Sequence, residues 1–325
     1  MTGGEPRRAS GGAQSEAGVI VVGGEALVDL VVRGGDDELA GHLGGGPFNC
    51  ARTLGRLEQP VAYLGRISSD RFGARLREQL VEDGVRLDAV VDTDDPTTLA
   101  LAELDEEGAA TYRFYHQGTS VPGLTPETAL SVLPERVEMV HVGTLGLVFE
   151  PVADALEAVV AQAADALAMV DLNIRPTVID DEASYRARLD RLVPRCHVVK
   201  ASDDDLAWLE PGRGEVDTAR ALLGTGPTAV RLTRGGDGVT VVTRDGETEV
   251  PALAVEVVDT IGAGDAFGGG FLAWWRREGL GAGDLARTDA VLEATRFACL
   301  VAGRTVERAG ASPPYLHEVA PADDV

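Results

Sequence analysis

Toward its C-terminal end the chain reads Val257-Val258-Asp259-Thr260-Ile261-Gly262-Ala263-Gly264-Asp265-Ala266-Phe267, a glycine turn with a carboxylate on its far lip. An apolar run, Ala252 to Val258, leads in, and Phe267, Phe271, Leu272 and Trp275 follow at helical spacing. The turn therefore opens a helix, whose first backbone N–H groups and positive dipole end attract an anion. Gly262, Ala263 and Gly264 carry nothing large enough to keep a phosphate from those donors. Asp265 repels phosphate but is well suited to take a proton from a hydroxyl lined up on it. The chemistry implied is phosphoryl transfer to an alcohol; the plainer alternative is a structural turn with Asp265 as helix cap.

A second glycine turn, Gly44-Gly45-Gly46-Pro47-Phe48-Asn49, also opens a helical stretch. Gly45 and Gly46 permit close backbone approach by a ligand, and Asn49 offers a donor and an acceptor together, as a sugar hydroxyl requires. Upstream, Gly24-Glu25-Ala26-Leu27-Val28-Asp29 puts a carboxylate inside an apolar stretch. Vicinal hydroxyls would satisfy Asp29 there; a strand-end turn is its bland reading.

These groups need a scaffold. Val19–Val22, Val61–Leu64, Met139–Val142, Ala168–Leu172, Val198–Lys200 and Ala229–Leu232 read as buried strands, with helical patterns such as Val152–Leu167 and Tyr185–Leu192 between them. Strands alternating with helices predict an α/β fold, a doubly wound and mostly parallel sheet covered on both faces. Two segments break the rhythm. Leu27–Val32 runs into Gly34-Gly35-Asp36-Asp37 with no helix before Leu43, and Thr97–Tyr115 reads as a hairpin around Asp105-Glu106-Glu107-Gly108. Within 27–43 and 97–117 they predict a small β-strand lid, or else a decorative edge. Residues 1–18 are Gly-, Ser- and Ala-rich and are expected to be a disordered tail; one folded domain is expected over 19–315, with a short tail at 316–325.

Composition narrows the partners. A formal net charge of −24 over 325 residues argues against nucleic acid and anionic membrane, and no apolar stretch is long enough to span a bilayer. Cys50, Cys196 and Cys299 have no metal-type spacing and point to a reducing, cytoplasmic setting. Lys200 is the only lysine and stands in Val-Val-Lys-Ala-Ser, so a Walker A loop is excluded. A dinucleotide-binding oxidoreductase needs Gly-x-Gly-x-x-Gly after an early strand, which Gly44–Gly46 does not supply.

Together the two turns, in this order and with these spacings, resemble the PfkB, or ribokinase-like, carbohydrate kinases. The resemblance covers Val19 to Pro314. It includes Gly65-Arg66-Ile67-Ser68-Ser69-Asp70-Arg71-Phe72-Gly73, Asp171-Leu172-Asn173-Ile174-Arg175-Pro176, Thr233-Arg234-Gly235-Gly236-Asp237-Gly238 and the Gly310-Ala311 step. Gly-Glu-Ala-Leu-Val-Asp followed by Gly-Gly-x-Pro-x-Asn is most similar to bacterial fructokinases. The resemblance implies an ATP- and Mg²⁺-dependent kinase of fructose, with 2-keto-3-deoxygluconate as the alternative acceptor and a silent sugar-binding relative as the non-catalytic one. The keto-acid would need a dedicated cation such as Arg113 or Arg175.

By the same resemblance Asp265 is the base and Gly262–Gly264 the anion hole, while Asp29, Gly45, Gly46, Asn49 and Arg175 face the sugar. Lys200, Ser202, Thr233, Gly235 and Gly238 line the nucleotide site. Asp205 is expected at Mg²⁺ through water, and Asp259 beside a monovalent cation such as K⁺. Ser202-Asp203-Asp204-Asp205 replaces the Asn-x-x-Glu often found in the family, and Ile261 stands where Thr is common. Arg175 has a plainer reading as a surface cation neutralising Asp171 or Asp180, and His116 is a lid candidate. A homodimer paired through the lid is implied, and Trp274-Trp275 is expected to pack the helix.

Overall fold

The computed structural model describes residues 18–32, 39–104 and 110–319. The expected N-terminal tail, apart from Gly18, lies outside them, as do the two turn sequences at 34–37 and 105–108 and the last residues, 320–325.

Nine strands build the main sheet: β1 (Val19–Gly23), β4 (Val61–Ser68), β5 (Val90–Thr93), β8 (Val137–Gly143), β9 (Leu167–Asp171), β10 (Val198–Ser202), β11 (Ala229–Thr233), β12 (Val239–Thr243) and β13 (Gly246–Val250). Their order is β13-β12-β11-β10-β9-β8-β1-β4-β5, parallel throughout except where β12 and β13 fold back as an antiparallel hairpin. A second sheet holds β2 (Leu27–Val32), β3 (Leu39–Gly44), β6 (Leu99–Leu104) and β7 (Ala110–Tyr115) in the order β3-β2-β6-β7. It is the small β element expected from the two arrhythmic segments; β2 pairs β6 in parallel and the other ladders are antiparallel.

Alternation along β1 shows why the sheet is two-sided: Val19 and Val21 join one buried cluster, Ile20 and Val22 the other. On the first face lie α3 (Pro126–Ser131), α4 (Val152–Gln162) and α5 (Glu182–Leu192), the last started by Asp181, whose side chain accepts from Ser184 N. On the other lie α1 (Gly46–Arg56), α2 (Arg71–Glu82), α8 (Ala263–Arg277) and α9 (Thr288–Val306). The short α6 (Asp203–Leu209) and α7 (Glu215–Leu223) follow β10, and α10 (Leu316–Val319) closes the described chain. The helix expected to run to Leu167 stops at Gln162, because Leu167 is needed as the first residue of β9. Past 315, Glu318 pairs with Arg308 and Val319 is buried against the core.

Three adjoining glycines let α8 sit between its neighbours. A Cβ at Gly269 would stand 2.7 Å from Thr53 Cβ on α1, and one at Gly270 3.0 Å from Val301 Cβ on α9. Side chains there would push both helices away. Trp275 is fully buried, donates to Gly281 O at 3.2 Å and stacks on Phe271, so the tryptophan pair does pack this helix.

Candidate active site

Strand order reverses at β1, whose neighbours β4 and β8 come from different parts of the chain. In such sheets ligands bind beyond the carboxyl ends of the strands at the reversal. Glu25 follows β1, Thr144 follows β8, Asp171 ends β9, Ser202 ends β10 and Thr233 ends β11, so the candidate residues collect along that one edge.

The two glycine turns meet there. Asn49 Nδ2 donates to Asp265 Oδ2 at 2.9 Å across 216 residues of sequence. Asn49 Oδ1 is buried and has no partner among the described residues, leaving an acceptor for a ligand hydroxyl. A Cβ at Gly46 would stand 3.2 Å from Asp265 Oδ1, so the backbone at the start of α1 faces the carboxylate directly. Burial pushes Asp265 up to about 7; the Asn49 bond and the charges of Lys200 and Arg175 pull down, while Asp171 pushes further up. A carboxylate balanced near neutrality is poised to accept a proton.

Asp265 does not cap its helix. The cap is Gly262, at φ +78°, a left-handed backbone that glycine adopts without strain, and α8 has no side-chain cap. Ala263 N donates to Thr260 O at 3.3 Å, and no side chain competes for the N–H groups that follow it in the first turn. A Cβ at Gly262 would lie 2.6 Å from Ala311 Cβ, which fixes how closely the C-terminal loop packs on the turn. Asp259 shapes the same loop, accepting from Ile261 N at 3.0 Å and Gly310 N at 2.8 Å. Arg52 ties α1 to this loop through Ala311 O at 2.8 Å while pairing with buried Asp83 at 2.7 Å.

The expected nucleotide residues divide. Thr233, Gly235 and Gly238 line a cavity of about 460 Å³ that reaches Gly264 and Phe267 at the start of α8. Its apolar wall is Leu253, Val255 and Val257 on one side and Cys299, Ala302, Gly303 and Val306 of α9 on the other. Sequence reasoning missed that wall; the apolar run before Asp259 was its only signal, and α9 carried none.

Lys200 and Ser202 are not in this cavity lining. Lys200 is 5% exposed, with Nζ held by both oxygens of Asp171 at 2.9 Å and 3.2 Å from where a Gly264 Cβ would stand. It therefore puts a positive charge beside the first turn of α8. Burial alone would lower its pKa, but Asp171, Asp205 and Asp265 hold it above the usual lysine range. Ser202 caps α6: its hydroxyl accepts from Asp205 N, and Asp205 Oδ2 accepts from Ser202 N. Asp205 Oδ1 takes Ile174 N at 2.6 Å, and the residue is 3% exposed. Both oxygens of that carboxylate accept from backbone N–H groups. Among the described residues no cluster of three or more His, Cys, Asp or Glu is arranged to hold a metal ion.

On the acceptor side, Gly45 is the cap of α1, where a Cβ would collide with Glu25 O at 2.5 Å. Asp29 is half-buried on β2, and burial pushes it up to about 6. Arg175 is exposed and, among the described residues, bonds only to the neighbouring carbonyls of Asn173 and Ile174 (3.1 Å to Ile174 O), pairing with neither Asp171 nor Asp180. It remains available to a ligand. His116 stacks on Phe149 with ring centroids 4.2 Å apart, at the end of the small sheet.

Residues 20–318 match a family described as pfkB family carbohydrate kinase. The chain belongs to this family. As a pfkB carbohydrate kinase it is a phosphotransferase with an alcohol group as acceptor. It is 36% identical to the fructokinase of Rhizobium leguminosarum bv. trifolii over 81% of each chain. The crystal structure of a Xylella fastidiosa fructokinase with bound ATP superposes with a TM-score of 0.84 at 28% identity, covering 93% of this chain and 96% of that one. A double mutant of the Vibrio cholerae fructokinase, in a form with fructose, ADP and potassium ion, gives 0.79 at 25% identity over 90% and 94%. No described helix of this pfkB kinase is long and apolar enough to cross a membrane.

Proposed function

We propose that the chain is an ATP- and Mg²⁺-dependent fructokinase that phosphorylates the primary C6 hydroxyl of fructose. The observation that carries this reading is the Asn49–Asp265 hydrogen bond, which joins the sugar turn to the base at the mouth of the anion hole. Asn49, Asp29 and the Gly45–Gly46 backbone would hold the ring hydroxyls. Asp265 would orient the reacting hydroxyl and take its proton as the oxygen–phosphorus bond forms and the bond to the ADP oxygen breaks.

The cavity beside Thr233, Gly235 and Gly238 fits a purine nucleotide in size and in its apolar walls. ATP with Mg²⁺ would supply the transferred phosphoryl group and offset its charge. The Gly262–Gly264 amides, with Lys200 beneath them, are placed to stabilise the same charge. With Asp205 turned to the backbone, Mg²⁺ would be held chiefly by phosphates and water. Asp259 and the Gly310 loop would hold a K⁺ ion if one activates the enzyme.

The small sheet acts in this reading as a lid that excludes water, and as the pairing surface of a homodimer, by family resemblance; the setting is cytoplasmic. The experiment is ADP release with Mg²⁺-ATP across fructose, ribose, glucose and 2-keto-3-deoxygluconate. Turnover favouring fructose supports the proposal. Preference for the keto-acid transfers the same machinery to the rival acceptor, and sugar binding without turnover would mean a silent relative.

A further inference from the structure

Glu25 stands directly beyond β1, at the point where the strand order reverses, and is 2% exposed. Its carboxylate makes no ion pair among the described residues. Oε1 accepts from Gly46 N at 3.0 Å and from the Thr144 hydroxyl; Oε2 accepts from Gly146 N at 3.0 Å. A buried carboxylate satisfied only by neutral donors is costly to keep.

A second oddity sits at the same contact. Thr144 has φ +56°, a left-handed conformation that a β-branched residue rarely adopts. Its side chain and Asp265 flank one glycine: a Cβ at Gly46 would stand 2.6 Å from Thr144 Cγ2 and 3.2 Å from Asp265 Oδ1. Backbone strain and buried charge thus converge on the spacing between the sugar turn and the turn after β8.

We infer that Glu25 is a positioning residue of the acceptor site: it binds the start of α1 to the Thr144–Gly146 turn, and so sets the sugar against Asp265. The inference rests on the kinase reading above. It extends it to a residue that touches neither substrate. Glutamine could not replace this group, because its amide nitrogen would confront one of the three donors.

Protonation should act similarly. Burial pushes Glu25 up to about 7 against the pull of its Thr144, Gly46 and Gly146 bonds, and the titratable group facing it is Tyr63, whose hydroxyl donates to Gly24 O. Glu25 and Asp265 must then lose protons for full activity, in addition to Asp29, which burial pushes up to about 6. The acid limb of log kcat/KM for the sugar should therefore carry one more proton in wild type than in an enzyme without the Glu25 carboxylate.

The test uses the full chain and whichever sugar the wild type turns over, so failure with fructose alone overturns only the substrate assignment. Glu25→Gln should raise the sugar KM about tenfold or more, leave the ATP KM within about twofold, and lower the acid-limb slope by about 1. If Glu25→Gln does not fold, Thr144→Ala, which removes one of the three donors, should raise the sugar KM about threefold or more, and Thr144→Ser should restore it. Equal changes in the two KM values, an unchanged slope in Glu25→Gln, or a Thr144→Ala enzyme with wild-type sugar KM would overturn the inference.

Discussion

At the residue scale, everything turns on one carboxylate held near neutrality. Asp265 is raised to about 7 by burial, so the folded state binds a proton there more tightly than the unfolded chain does. Its ionisation therefore costs stability as pH rises from about 4 toward 7, and the cost persists above that window. Asp265→Asn should remove it: at pH 8 the ligand-free variant should melt about 3 °C or more above wild type, and at pH 4 no higher. Differential scanning calorimetry at the two pH values checks this; a lower melting temperature at pH 8 would show that the ionised carboxylate stabilises the fold. The position of Asp265 on a glycine turn at a helix start was legible from the sequence. Its partner was not, because Asn49 lies 216 residues away and only the fold brings the two together. Asp205 was expected near Mg²⁺ through water by resemblance alone, and its spacing of three from Ser202 is that of the capping box seen in the fold.

At the scale of elements, α8 carries the site at its first turn and the packing along its middle. Gly262→Ala should lose on two counts, since alanine is strained at φ +78° and its methyl would meet Ala311. We expect a stability loss of about 1–3 kcal/mol by urea unfolding. The ATP KM should rise by at least about tenfold, and a wild-type ATP KM would mean the turn does not approach phosphate. The nucleotide wall gives an independent check. Ala302→Phe, projecting from α9 into the cavity, should raise the ATP KM by about tenfold or more while the sugar KM stays within about twofold. Strands and the two glycine turns were readable from apolar runs and turn chemistry. The apolar wall from α9 was not: Cys299, Ala302, Gly303 and Val306 look like any packed helix face until the fold sets them opposite Leu253 and Val257.

At the scale of the whole molecule, the nine-stranded sheet gathers the candidate residues along one edge, and a separate four-stranded sheet carries Asp29. The doubly wound pattern was visible because strands buried on both faces read as unbroken apolar runs, and the small sheet because its segments lacked helices between them. Which strands neighbour each other was not visible, since pairing such as β1 with β8 joins residues far apart in sequence. If the acceptor site is formed as described, saturating fructose should stabilise the chain by mass action, about 2.7 kcal/mol at a hundred times Kd, and should do so equally in Asp265→Asn. Thermal shifts that appear with glucose but not fructose would contradict the acceptor assignment.

The central claim is that Asp265 takes the proton of the sugar hydroxyl during phosphoryl transfer. The measurement that meets it most directly is kcat for Mg²⁺-ATP and fructose in wild type and Asp265→Asn, with fructose affinity measured alongside. The account predicts kcat lower by about 10²–10⁴-fold in the variant, with fructose still bound. Near-wild-type turnover by a folded Asp265→Asn enzyme would contradict it.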